Sequence, residues 1–263
     1  MPVSNAKPLT KVKAEALRAL AEQVFLGRDV PQGDAELVAD ILIEANLRGH
    51  DSHGVIRIPK WVVGLDSGMV KSQCKPIIIR EKGSTAMIHG DMGLGPVVAR
   101  KATSVVLQKA KEYGIGLVSV RKASHIGILQ YYSQWLAEKG VIGIVMTNTE
   151  SGVAPFGSRQ PILGTNPLTI AVPSGGTPYL LDMSTSVVAR GKIVNALERN
   201  EEIPLGWAVD KAGNPTTDPA AALEGALLPA GGPKGSGLAI MIDLLTGALA
   251  GGSVGSGVGG TMN

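Results

Sequence analysis

The sequence predicts a mixed α/β fold with a helical N-terminal layer, and three observations lead there. Apolar residues recur at helical spacing through the first seventy residues. The pattern then changes to strand-like runs between residues 76 and 89. From Gly95 onward, helical and strand-like segments alternate. Composition sets the scale: 263 residues, 44% hydrophobic and 18% charged, suit one large or two modest domains with a real core. Glycine numbers 35 against two Phe, three Trp and four Tyr, so that core must be aliphatic.

Each element has its own signal. Thr10 can cap a helix carrying Ala16, Leu17, Leu20, Val24 and Phe25, with Gly27 as its stop. Asp34 can cap a second, with Leu37, Val38, Ile41, Leu42 and Ala45 on one face and Gly49 at its end. A third helical stretch follows Asp51, opened afresh or kinked at Pro59. Pro76 to Arg80 and Thr85 to His89, joined by a Glu-Lys-Gly-Ser turn, read as a β-hairpin. Helices are expected over 97–113, 128–138, about 186–198 and 234–249, with strands over 115–120, 141–147, 168–172 and 179–182. Residues 207–219 read as a turn-rich loop, and 251–260 as a Gly/Ser/Val linker.

Charge and cysteine content narrow the function. A net charge of +3 from scattered Lys and Arg, with few aromatics, argues against a nucleic-acid partner. Cys74 is alone, so neither an intrachain disulfide nor a thiolate zinc site is available. The first residues lack the apolar core of a signal peptide. The one membrane-like stretch, 237–254, carries Asp243 and suits a buried helix better than a span, so a cytoplasmic protein without a membrane partner is expected.

Six stretches are candidates for chemistry. Gly255 to Gly260 matches G-x-G-x-x-G, but it follows no strand and opens no helix, so no ordinary Rossmann loop is present. In Asp51-Ser52-His53-Gly54-Val55-Ile56-Arg57, a helix would set His53 and Arg57 one turn apart on one face. A His can trade a proton near neutral pH, and an Arg fork can grip a carboxylate, which together suit a 2-hydroxy or 2-oxo acid. Spacing alone leaves open a packed turn with a surface cation. His50 and His53, without a third ligand, make only a weak metal pair. Ala123-Ser124-His125-Ile126-Gly127 follows a strand and leads into a helix, where α/β folds bind ligands, although a structural turn is the alternative. Gly164-Thr165-Asn166-Pro167 and Leu181-Asp182-Met183-Ser184-Thr185-Ser186 are polar clusters abutting apolar strands. Gly231 to Gly237 places Lys234 at a helix start, which favours anions.

In chain order, the Ser52–Arg57, Gly164–Pro167, Leu181–Met183 and Gly231–Gly235 clusters resemble the malate/L-lactate dehydrogenase family that lacks a Rossmann fold. Asn148-Thr149-Glu150, Ala154-Pro155-Phe156-Gly157, Ala189-Arg190-Gly191-Lys192-Ile193, Val209-Asp210-Lys211 and Pro215 to Pro219 add to the match. It covers essentially the whole chain and lies nearest the archaeal-type malate/sulfolactate branch. The resemblance implies a mixed-sheet, non-Rossmann NAD(P)-binding fold and hydride transfer between NAD or NADP and a 2-hydroxy/2-oxo acid. It implies His53 as proton donor or acceptor with Ser52 beside it, and His125 as the rival. Arg57 and Thr165 would hold substrate. Ser124, His125, Ile126, Gly127, Thr149, Asp182, Met183, Ser184 and Lys234 would hold the coenzyme. It further implies a homodimer, with residues 1–75 a helical substrate and dimerisation part and 76–263 the coenzyme-binding domain. Lys192 stands where the ketimine-reductase branch carries an Asp, which disfavours imine reduction. Ile126, Ala230 and Ser236 replace residues more typical of the family motifs, loosening stacking around the coenzyme. Family members run on beyond the point matching residues 260–263, so the coenzyme domain is expected to lack its C-terminal portion. A catalytically impaired coenzyme- or partner-binding homologue is the alternative.

Overall fold

The computed structural model describes residues 11–259. Three helices open it: α1 (Ala14–Leu26), α2 (Gln32–Leu47) and α3 (Ile58–Asp66). Thr10 lies outside the described residues, and Lys13 holds the position before α1 with no side-chain bond. Asp34 does not cap α2. Pro31, whose locked φ of −56° suits a helix entrance, precedes the first turn, and Asp34 donates its backbone N–H to the Pro31 carbonyl.

The hairpin is β1 (Ile77–Lys82) with β2 (Thr85–Gly93), antiparallel as its turn chemistry requires. Helix α4 (Gly95–Tyr113) crosses over to β3 (Leu117–Ala123), which runs parallel to β2, so this first sheet is mixed, in the order β1-β2-β3. Next come α5 (Gln130–Glu138), β4 (Gly143–Met146), β5 (Leu168–Val172) and β6 (Tyr179–Met183), the strands forming a second, antiparallel sheet. Helix α6 (Arg190–Arg199) starts later than its sequence pattern suggests. Ser186 is engaged in a bridge with Pro229, and Ala189 occupies the cap position.

The turn-rich stretch hides two strands of a third sheet, β7 (Ala208–Val209) and β8 (Pro215–Thr216), completed by β9 (Ala226–Leu227) in the order β8-β7-β9, with α7 (Pro219–Glu224) capped by the Asp218 carboxylate. The last helix, α8 (Pro233–Asp243), continues as a π-turn over Leu244–Ala248. No helix among the described residues is long and apolar enough to cross a membrane.

Helix α2 is the hub. One face joins Val38 and Leu42 to Phe25, Trp61 and Leu94, while the other joins Ile41 and Ala45 to Ile128 and Tyr132. Buried on two sides, it is a fixed shelf, and its C-terminal end points to the segment holding His53. A separate core packs β9 and α6 around Val153, Leu163, Ile193 and Leu227.

Candidate active site

The Ser52–His53 segment is not one α-helix. Two 3-10 turns, Asp51–His53 and Val55–Arg57, are separated by Gly54 in an extended conformation (φ −86°, ψ −152°). His53 and Arg57 therefore do not stack at helical i, i+4 spacing. Ser52 brings them together instead. Its hydroxyl lies 2.9 Å from His53 Nδ1, and its carbonyl accepts a 2.6 Å bond from Arg57 Nε. Both residues are half-buried.

His125 reaches His53 from the far end of β3. Its ring centroid is 5.4 Å from that of His53 and 6.1 Å from that of Trp61. Gly127 N–H donates to His125 Nδ1 at 3.1 Å, so the neutral ring carries its proton on Nε2. Gly127 makes that approach at φ +78°, a region glycine enters without penalty, and it packs tightly on Ile41 of α2. A side chain there would have to displace Ile41.

Electrostatics keep both rings neutral. Burial pushes His53 down to about 4, with Arg57 and His50 adding to the effect. Burial pushes His125 down to about 3, reinforced by His53, Arg57 and Lys60. Arg57 is also lowered by burial, and the nearby Glu150 carboxylate opposes that shift. Among the described residues, the terminal guanidinium nitrogens of Arg57 make no protein hydrogen bond. The result is a neutral imidazole beside an Arg fork.

A second polar cluster lies alongside. Thr149 Oγ1 accepts from Thr165 N at 2.9 Å and lies 3.3 Å from Thr165 Oγ1. Asn166 is fully buried at a strained φ of +31° and accepts from Thr149 N at 3.0 Å. Its amide nitrogen donates to the Ala239 carbonyl of α8 at 2.9 Å, so this loop and α8 are held as one unit. The Thr165 carbonyl accepts from both the N–H and the hydroxyl of Thr185, each at 2.9 Å. This cluster neighbours the first, since Gly191 at the start of α6 packs against Ser52 and Glu150 acts on Arg57.

The remaining coenzyme candidates divide. Asp182, at the end of β6, is open to solvent yet flanked closely enough for burial to raise its carboxyl, with His50 and Arg48 pulling it back. Met183 pairs with Leu168 across the sheet. Lys234 is exposed on the first turn of α8. The buried Ser124 hydroxyl accepts from Gly95 N at 2.8 Å at the start of α4, which leaves its O–H free to donate. Ser184 Oγ bonds to Ser186, 3.0 Å between hydroxyls. Ile126 packs with Ile41 and Tyr132, and its carbonyl accepts from the Tyr132 hydroxyl.

Two residues of this region carried no signal of their own in the sequence. Asn46 looks like an ordinary polar position near a helix end, yet it bonds on both sides of Gly54. Glu150 stood only as part of a motif, yet its charge acts on Arg57.

Fold and site together define a mixed α/β protein that carries a neutral imidazole and a guanidinium on one half-buried turn. The sequence profile of the malate/L-lactate dehydrogenase family matches residues 12–263, and the chain belongs to that family. It is 46% identical over 252 residues to an L-sulfolactate dehydrogenase of Methanocaldococcus jannaschii, covering 96% of this chain and 73% of the relative. The solved sulfolactate dehydrogenase from that organism superposes with a TM-score of 0.91, over the same shares of each chain. A malate dehydrogenase of Pyrococcus horikoshii is 44% identical over 251 residues, covering 92% of this chain and 70% of the relative. The solved structure of malate dehydrogenase from Pyrococcus horikoshii OT3 gives a TM-score of 0.87 at 42% identity, covering 97% of this chain and 72% of that one. A (2R)-3-sulfolactate dehydrogenase (NADP(+)) of Chromohalobacter salexigens is 38% identical over 224 residues, covering 84% of this chain and 67% of the relative.

Proposed function

We propose that the chain is an NAD(P)-dependent dehydrogenase interconverting a 2-hydroxy acid and its 2-oxo acid, with malate/oxaloacetate or sulfolactate/sulfopyruvate as the pair. The observation that carries this reading is Ser52 gripping both chemical groups, His53 by its hydroxyl and Arg57 by its carbonyl. One short turn thereby fixes a proton acceptor relative to a carboxylate anchor.

The donor set suits a nicotinamide dinucleotide. Lys234 and the first amides of α8 offer the positive end that a pyrophosphate seeks. Asp182 offers an acceptor for ribose hydroxyls at a strand end. His125, Gly127 and Thr149 would complete the pocket, on a fold that uses no Rossmann loop. When bound, the coenzyme accepts or supplies the hydride at the substrate α-carbon.

Arg57 binds the substrate carboxylate bidentately through its terminal nitrogens, because Nε is committed to Ser52. Thr165 contributes its hydroxyl to the substrate oxygens. In the oxidising direction, neutral His53 donates Nδ1–H to Ser52 Oγ and takes the hydroxyl proton on Nε2 as the C–O bond becomes C=O. Reduction reverses this, and the imidazolium returns the proton to the oxygen. His125 keeps Nδ1 occupied by the Gly127 amide and serves as an Nε2–H donor beside the reacting groups.

The reading places residues 1–75 on the substrate side and residues 76–263 on the coenzyme side. It also makes the protein a cytoplasmic homodimer. The exposed apolar strip of Ile240, Met241, Leu244, Leu245 and Leu249 supports a second copy as its cover. Turnover of oxaloacetate, sulfopyruvate and pyruvate with NADH and with NADPH tests the function. Coenzyme oxidation with at least one of the first two is expected. Coenzyme binding without turnover of any of the three would overturn the proposal.

A further inference from the structure

Asn46 stands five residues before Asp51 and lies near the C-terminal end of α2, between the fully buried Ala45 and the exposed Leu47. Its carboxamide makes two hydrogen bonds, one on each side of His53 in the chain. Nδ2 donates to Asp51 Oδ1 at 2.6 Å, and Oδ1 accepts from Val55 N at 2.9 Å. The partners fix the orientation of the amide, because a flip would set N–H against N–H and oxygen against carboxylate.

Those two bonds tie the turn to α2, in addition to the Arg57–Ser52 bond within it and the packing of Val55 and Ile58 on the helical core. The turn's backbone is closed by i, i+3 bonds, among them His53 N to His50 O at 2.8 Å, Gly54 N to Asp51 O at 3.0 Å, Arg57 N to Gly54 O at 2.9 Å and Ile58 N to Val55 O. Such turns are short and have poorer hydrogen-bond geometry than an α-helix. At Gly54, where the two turns part, a Cβ would fall within the Asn46 carboxamide, 2.6 Å from its Nδ2. The amide therefore occupies the place a side chain would take, and Gly54 is the residue that admits it. Behind it, Ile43 and Ala45 anchor α2 in the core.

We infer that Asn46 is a positioning residue: its carboxamide clamps Asp51 and Val55 and so holds the Ser52–His53–Arg57 turn in reacting geometry from the rigid end of α2. The inference rests on the reading of His53 as the proton-transfer group. Asn46 touches neither substrate nor coenzyme and acts through the turn. Displacement of a reacting group by about 1 Å can cost on the order of 100-fold in rate.

The chemistry of the clamp supplies its own rescue. In Asn46→Asp, one oxygen still accepts from Val55 N, while the other faces the Asp51 carboxylate and repels it. In Asn46→Asp with Asp51→Asn, the amide introduced at position 51 can donate to the carboxylate introduced at position 46, and the net charge equals that of the wild type. Asn46→Asp should lower kcat by about 10- to 100-fold with KM changed by less than about threefold. The double variant should recover kcat to within about threefold, along with the wild-type pH profile.

Imidazole NMR on 15N-histidine-labelled protein reads the same geometry without turnover. The His53 signals should shift or broaden in Asn46→Asp and return in the double variant. If the wild type turns over no 2-oxo acid, the functional reading fails and the NMR series alone decides the clamp. A single variant with wild-type kcat and unchanged His53 signals overturns the inference. So does a folded double variant no better than the single one, with Tm showing that both are folded.

Discussion

Two histidine-bearing segments meet in this molecule, and they differ in what each ring is bonded to. His53 rests on a hydroxyl, and His125 rests on a backbone amide. A hydroxyl can donate or accept, so Ser52 remains a partner whether His53 is neutral or charged. An amide can only donate, so protonating His125 at Nδ1 would break its bond to Gly127 and set two N–H groups face to face. Two rings 5.4 Å apart are thus unequal in chemistry, and the partner of each sets what protonation would cost it.

Exchange of each ring in turn is the sharpest break of that comparison. His53→Ala should lower kcat by two or more orders of magnitude, as loss of a general acid/base does. His125→Ala should cost on the order of tenfold, in keeping with a lost donor, and leave the shape of the pH profile unchanged. Steady-state kinetics of the two variants measure this directly. A larger loss at His125 would transfer the proton role to it.

Arg57 sharpens the comparison from the substrate side. It shares Ser52 with His53 and has no such tie to His125. Arg57→Ala should raise KM by about 10- to 100-fold, the loss of a charge-assisted hydrogen-bond pair worth roughly 1.5–3 kcal/mol. The effect on kcat should be smaller. A change confined to kcat would instead make Arg57 a residue that acts only in the transition state.

How far the residues alone reveal this arrangement can be judged from particular cases. The hairpin, α4, β5 and β6 follow from periodicity, because each is long enough or alternates enough to show it. The strands of the third sheet are two residues each, too short for any period, so 207–219 reads only as loop. His53 and Arg57 are legible by type, since imidazole and guanidinium suit a 2-oxo acid. Their actual geometry is not, for Gly54 breaks the turn in a way that helical spacing does not anticipate. The contact between His53 and His125 joins residues far apart in the chain, and the Asn46 clamp is a side-chain bond across a turn. Both are tertiary facts. Ser124 adds a tertiary fact of the same kind, since its hydroxyl accepts from the orphan N–H of Gly95, 29 residues away in the chain.

The pH dependence follows from the downward shifts on the two rings. His53 must be neutral to take a proton, and burial holds its transition near 4. For hydroxy-acid oxidation, kcat/KM should therefore show no His53 step near pH 6.5 and should fall about tenfold per unit below about pH 4. Oxo-acid reduction should rise as pH falls through the same range, because it requires the imidazolium. A break near 6.5 in the free enzyme would mean that the ring is solvated. Stability moves in the same sense. Both rings titrate lower in the folded protein than the usual 6.5, so the unfolded chain binds protons first. The stability they contribute is whole above about pH 6.5 and is lost as pH falls toward about 4 for His53 and about 3 for His125, at up to about 1.4 kcal/mol per unit for each ring. Denaturant melts across that window measure the slope.

The smallest expected effect is at Thr165, in the second polar cluster. Its backbone is fully committed, the N–H to Thr149 Oγ1 and the carbonyl to Thr185. Its hydroxyl has one long contact, 3.3 Å to Thr149 Oγ1, and so has capacity left for a substrate oxygen. Thr165→Val keeps the shape and removes only that hydroxyl. Because the position is half-buried and the lost internal bond is weak, Tm should move by no more than a few degrees. A neutral hydrogen bond to substrate is worth about 0.5–1.5 kcal/mol, so KM should rise roughly two- to tenfold. The pH profile should stay where His53 sets it. Should Thr165→Val instead leave KM unchanged and lower Tm sharply, its hydroxyl would belong to the scaffold with Asn166, and substrate contact would rest on the Ser52-centred turn alone.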